Sequence, residues 1–240
     1  MHLTYPNFIQ EFLTRWHFKF TLPAKKHATL HGVHLDISAL SPLMKNHILQ
    51  GRYEFQECRL VRQCITQDDV VLELGGAIGF IGLFCRKIIG VRHHLTVEPN
   101  PNTLAMLQRN YALNRITPQV VWAAASAEDG EIELNMSGEF WENSIIAADE
   151  GACQATVPAL SLQSIVEGMA ATPTALICDI EGAETCLDFT QLPKTVTRII
   201  IELHPGMVGE AATQRVTDQL HAEGFRTESV EENTWLFTRL

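Results

Sequence analysis

The chain has 240 residues, 46% of them hydrophobic, which suits one α/β domain with a small appendage. Its formal net charge is −10 and its pI is near 5.4, a balance that disfavours a sequence-independent grip on nucleic acid or on an anionic membrane. The longest apolar run, Ala77–Cys85, stops at Arg86–Lys87, short of a bilayer span. No nucleic-acid or membrane partner is therefore expected, and self-association is left open.

The N-terminus has no basic segment followed by a long apolar one, so a secretory signal is not expected. The six cysteines are scattered without CxxC or zinc spacing, as for reduced thiols packed in a cytoplasmic protein. Pro6–Arg15 reads as a short helix, and Thr29–Ile37 alternates like a hairpin. Ser41-Pro42 starts a helix that Gly51 ends, and Tyr53–Ile65 has a helical apolar period. Residues 1–66 are thus expected to form a mostly helical extension or lid ahead of a domain at 67–240.

From Val70 the pattern alternates between strand and helix. Val70–Leu74 reads as a buried strand, Phe80–Ile89 as a helix and Leu95–Val97 as a second strand. Asn100-Pro101 opens a helix running to about Asn114, and Gln119–Ala124 reads as a third strand. Glu131–Asn135 and Ala155–Val157 read as extra strands joined by the loop Met136–Ala152. Ser161–Met169 reads as a helix, Ala175–Ile180 as a strand, Ala183–Leu192 as a helix stopped by Pro193, and Arg198–Leu203 as another strand. Val208–Ala222 is expected to be a helix closed by Gly224, followed by a hairpin of Phe225–Val230 and Thr234–Thr238. The expected fold is α/β: a doubly wound, mostly parallel seven-stranded sheet of the Rossmann-like type, with an antiparallel C-terminal hairpin.

Ligands of such sheets bind outside the carboxyl ends of the strands. Those ends nominate Glu73 to Gly79, Glu98, Ala124 to Ser126, Asp179 to Glu184, and Glu202 to His204. The first turn, ELGGAIG, is neither GxGxxG nor a phosphate loop; it reads ExGxxxG. An acid at the end of the first strand repels a pyrophosphate but suits S-adenosylmethionine, whose ammonium and sulfonium groups are cationic. Glu98, ending the second strand, is placed to accept hydrogen bonds from ribose hydroxyls.

Four segments in order, VVLELGGAIGF, TVEPNP, ALICDIEGAE and IIIELHP, resemble the FkbM-type methyltransferases, as does the lead-in GRYEFQE at Gly51–Glu57. The resemblance spans Gly51 to Pro205 and implies S-adenosylmethionine-dependent O-methylation of a hydroxyl on a small molecule such as a sugar or polyketide. Many members of that family read DVGANIG where this chain has ELGGAIG, so Ala77 replaces an asparagine amide.

The expected cofactor contacts are Glu73, Gly75, Gly76, Ala77, Gly79, Glu98, Pro99, Ser126 and Asp179. Tyr53, Trp141 and Glu181 are expected on the acceptor side. Methylating an alcohol requires loss of its proton, and His204 is the expected base, with Asp179 and Glu202 beside it. No metal is expected, although Asp179, Glu202 and His204 have the donor types for a divalent cation. The alternatives are a catalytically silent methyltransferase-like binding module and a nicotinamide-dependent oxidoreductase.

Overall fold

The computed structural model describes residues 22–136 and 153–240. The expected helix at Pro6–Arg15 and Trp141 lie outside the described residues.

The main sheet is built on Val70–Leu74 (β3), whose residues Val71 to Leu74 are all buried. A strand buried on both faces is typical of a parallel sheet with helices on both sides, and its neighbours pair with it in that sense. His93–Val97 (β4) and Val120–Val121 (β5) pair parallel on one side of β3. Ala175–Cys178 (β9) and Arg198–Glu202 (β10) pair parallel on the other. The C-terminal hairpin, Arg226–Glu231 (β11) and Thr234–Thr238 (β12), adds an antiparallel edge, with β12 next to β10. The seven-stranded order is β11-β12-β10-β9-β3-β4-β5. The strand order reverses between β3 and β9, the place where such sheets open a crevice.

Alternate residues of each strand feed two cores. Val71, Ile177 and Ile200 face one layer, with Phe80, Phe84 and Tyr111. Leu72, Leu74, Ile199 and Ile201 face the other, with Leu220 and Phe237. Each such fully buried side chain contributes roughly 1.5–3 kcal/mol by leaving water.

The extension joins the first core. His27–Leu30 (β1) and Val33–Asp36 (β2) form the expected hairpin. Helices Pro42–Leu49 (α1), capped by Ser41, and Phe55–Cys64 (α2) follow. Leu35, Ile48 and Leu60 from these elements are buried with the sheet residues. Two asparagines of Pro101–Leu113 (α4) and its C-cap dock the hairpin: Asp36 N donates to Asn110 Oδ1 at 2.7 Å, and His34 N donates to Asn114 Oδ1 at 3.0 Å.

Four elements depart from expectation. The helix after β3 is one α-turn, Phe80–Leu83 (α3), continued as a π-helix over Phe84–Ile89 and ended by Gly90 at φ 89°. The third strand splits: β5 stops at Val121, and Ala124–Ser126 (β6) joins a second, three-stranded sheet. That sheet has the order β6-β8-β7, with Gly130–Met136 (β7) and Cys153–Ser161 (β8). The split falls at Trp122, whose indole N–H reaches back to the Pro99 carbonyl at 2.8 Å. Ala183–Leu192 is not a helix but two 3₁₀ turns, Ala183–Cys186 and Phe189–Gln191. Asp188 causes the break, because its side chain accepts from both the backbone N–H and the hydroxyl of Thr190 and so competes with helix bonding. Last, Gly209 divides the expected Val208–Ala222 helix into Pro205–Val208 (α6) and Glu210–Ala222 (α7); Leu162–Glu167 (α5) forms about where expected.

Candidate functional site

A cleft opens at the carboxyl ends of β3, β4 and β9, beneath the second sheet. Its open space is about 790 Å³ with the mouth included. Gly75, Ala77, Glu98 and Pro99 line one side, Ala124, Ala125 and Leu134 the roof, and Asp179, Glu181 and Tyr53 the other side.

The glycine turn is shaped by its neighbours. Gly75 has φ 87°, and a Cβ there would lie 1.7 Å from the Asp179 carbonyl oxygen. A Cβ on Gly76 would lie 2.2 Å from Thr96 Cγ2. Gly79 packs on Leu107 and Tyr111 in the same way. Gly76 and Gly79 thus let α3 approach the sheet and α4. Ala77 has φ 42°, a left-handed conformation that asparagine and glycine adopt more readily.

Glu98 binds the turn to the next helix. One oxygen accepts from Ala77 N at 2.8 Å; the other accepts from Asn100 N and Thr103 Oγ1, each at 2.8 Å. Burial raises its pKa, and these hydrogen bonds work against that rise. Asn100 caps α4, as its side chain accepts from Asn102 N.

Glu73 points beneath the turn. Its carboxyl accepts from Thr96 Oγ1 at 2.6 Å and lies 3.4 Å from His94 Nε2. Burial pushes Glu73 up to about 7. Burial, assisted by Arg86, pulls His94 down to about 3. The His94 imidazole is therefore neutral at pH 7. Glu73 borders a smaller adjoining cavity with Tyr53, Glu54, Glu57 and Phe80. Ser126, at the far end of β6 opposite Ser161, is not one of the residues lining either cavity.

The strand ends of β9 and β10 bring four nominated residues together. His204 Nε2 lies 3.5 Å from Asp179 Oδ1, 3.4 Å from Glu181 Oε2 and 4.0 Å from Glu202 Oε1. His204 Nδ1 lies 3.4 Å from Glu184 Oε1. Burial alone would lower the His204 pKa, but Glu184, Asp179 and Glu181 outweigh it and raise it to about 10. Burial pushes Asp179 up to about 7 against the pull of His204. Burial, together with Asp179 and Glu57, pushes Glu202 up to about 8. In this surrounding His204 holds its proton at neutral pH, which disfavours the expected base role for the imidazole. Asp179 and Glu181 stand on the cleft wall; His204 and Glu202 are not among its lining residues.

Glu54 and Glu57 were not nominated, although both lie in the quoted lead-in GRYEFQE. Glu54 sits at φ 51° just before α2 and lines both cavities. Burial, then Glu57 and Asp179, raise its pKa well above the usual carboxylate range. Glu57 accepts from Thr234 Oγ1 at 2.6 Å, tying α2 to the C-terminal hairpin. The signal was present in the spacing: at the start of a helix, residues three apart share a face. Tyr53 packs on Phe80 with ring centroids 5.7 Å apart.

No protein-family model matches the chain, and no curated protein does. Solved structures of similar shape include M. capricolum TrmK in complex with S-adenosylhomocysteine, at 8% identity and TM-score 0.46, over 76% of this chain and 66% of that one. M. jannaschii TYW2 in complex with AdoMet matches at 13% identity and TM-score 0.45, over 89% of this chain and 86% of that one. Precorrin-6y C5,15-methyltransferase from Geobacter metallireducens matches at 12% identity and TM-score 0.45, over 77% and 86%. The strand order places this chain in the Rossmann-like methyltransferase fold.

Proposed function

We propose that the chain is an S-adenosylmethionine-dependent methyltransferase that acts on a hydroxyl of a small molecule, as the FkbM-type segments imply. The observation that carries this reading is the cleft at the β3, β4 and β9 ends, with Glu98 on one wall and the Asp179–Glu181 pair on the other.

In this reading the adenosyl ribose lies against Glu98 and Pro99, and the adenine against Ala124, Ala125 and Leu134. The apolar roof suits a flat heterocycle. The methionine end reaches the Gly75–Ala77 turn, where its cationic amino group meets a strongly acidic basin. Tyr53, Glu54 and Glu181 border the acceptor side. The bound cofactor supplies an electrophilic methyl group; the chain's own residues position the acceptor oxygen and receive its proton. The Asp179–Glu181–His204–Glu202 cluster takes that proton, and holding the oxygen in line with the methyl group supplies much of the rate.

Titration calorimetry with S-adenosylmethionine tests the reading. One molecule is expected to bind per chain, and transfer of a labelled methyl group to a member of a hydroxyl-bearing acceptor library is expected to follow. His204→Ala is expected to lower turnover more than cofactor affinity. A folded sample that binds no S-adenosylmethionine rejects the proposal; binding without transfer to any acceptor favours the silent module.

A further inference from the structure

We propose that Asp179 Oδ1, Glu181 Oε2 and His204 Nε2 form a binding site for one divalent metal ion at the edge of the cleft. The three atoms lie within 4.8 Å of one another.

The spacing leaves room for an ion between the donors. His204 Nε2 is 3.5 Å from Asp179 Oδ1 and 3.4 Å from Glu181 Oε2. A charged N–H···O bond is normally about 2.7–2.9 Å, so both separations are too long for direct hydrogen bonds of that kind. Atoms bound about 2.2 Å from a common centre, and this far apart, subtend about 100–105° there, between the tetrahedral and octahedral angles. Both histidine–carboxylate separations thus fit two ligands of one ion.

Two further observations support the site. Asp179 Oδ1 is buried with no hydrogen-bond partner among the described residues, as is Oε2 of Glu184. Behind the histidine, Glu184 has a side chain only 1% exposed, and its Oε1 lies 3.4 Å from His204 Nδ1. That oxygen is itself fixed by the Ile180 N–H at 2.9 Å. Metal binding at Nε2 displaces the proton that His204 otherwise holds there at neutral pH, with the Glu184 carboxylate standing on the Nδ1 side of the ring. Local backbone aims the donors: Glu181 has φ 54° and Gly182 φ 92°, so the chain turns sharply between β9 and the first 3₁₀ turn. Two carboxylates and one imidazole suit a first-row divalent cation such as Mn²⁺.

The purpose of the ion, holding the acceptor beside the methyl donor, rests on the transferase reading; the binding itself does not. The test uses the full chain, stripped with EDTA, dialysed and titrated with MnCl₂ while the electron paramagnetic resonance signal of free Mn²⁺ is followed. One Mn²⁺ is expected to be immobilised per chain. Asp179→Asn and His204→Gln are each expected to weaken binding at least ten-fold, and the distant Glu223→Gln to leave it unchanged. Glu184→Gln, which perturbs positioning only, is expected to weaken it less and to alter the bound-Mn²⁺ spectrum, with Glu184→Asp restoring part of the affinity. Melting curves in EDTA check that each variant folds. No immobilised Mn²⁺ in the wild type, or equal binding in a folded Asp179→Asn, overturns the site. Failure of S-adenosylmethionine to bind while Mn²⁺ does would instead sink the transferase reading alone.

Discussion

Gly75 and Asp179 meet backbone to backbone at the floor of the cleft: a Cβ on Gly75 would stand 1.7 Å from the Asp179 carbonyl oxygen. The contact lies where β3 and β9 end side by side, and Asp179 N donates to the Leu74 carbonyl at 3.0 Å. The first glycine of the turn therefore sets the width of the crevice. Gly75→Ala combines a steric clash with a strained φ of 87°, and is expected to cost about 3 kcal/mol or more. Urea unfolding checks this; a midpoint close to that of the wild type would contradict it.

Ala77 carries the opposite prediction. Its φ of 42° costs an L-residue about 1–2 kcal/mol, and glycine escapes that cost at an entropic penalty of about 0.5–1 kcal/mol. Ala77→Gly is expected to stabilise the chain by about 0.5–1 kcal/mol, read as a higher melting temperature without ligand. A lower melting temperature would show that the Ala77 methyl group makes a compensating contact.

Glu98 serves the turn as well as the proposed ribose. In Glu98→Gln the amide NH₂ cannot accept, so a backbone N–H at Ala77 or Asn100 loses its partner. The expected loss is about 1–3 kcal/mol of stability, together with at least ten-fold in S-adenosylmethionine affinity by calorimetry. Unchanged affinity in a folded variant would remove the ribose assignment.

The buried pair Glu73 and His94 sets a pH signature. The folded pKa of His94 is about 3 against an ordinary 6.5. Between those values the unfolded chain takes up a proton that the folded chain does not, so this group lowers stability as pH falls. Glu73, at about 7 against 4.5, does the reverse: the folded chain binds the extra proton, and stability rises as pH falls from 7 to 4.5. The two effects oppose each other between pH 4.5 and 6.5. His94→Gln removes only the first, so it is expected to gain stability relative to the wild type as pH drops below 6.5. Melting temperatures at pH 7, 5.5 and 4.5 check this; a constant difference would contradict it.

These predictions show which parts of the molecule were legible from residue order. The β3 strand, its glycine turn and Glu98 were readable because a buried parallel strand is continuously apolar and its turn needs residues without side chains. The clustering of Asp179, Glu181, Glu202 and His204 followed from strand ends converging on one rim. The role of the turn glycines did not follow: Gly76 and Gly79 are required by Thr96, Leu107 and Tyr111, which come from β4 and α4. The charge of His204 was equally hidden, since Glu184 and the other acids reach it only through the fold. The split of the third strand at Trp122 depended on the Pro99 carbonyl, a contact that local alternation does not reveal.

The most direct test of the account is a crystal structure of the full chain soaked with S-adenosylhomocysteine at saturating concentration. The account predicts density for the adenosine between Glu98 and the Ala124–Ala125 roof, with its amino-acid end at the Gly75–Ala77 turn. A cleft that stays empty under those conditions, or a nucleoside bound elsewhere, would contradict it.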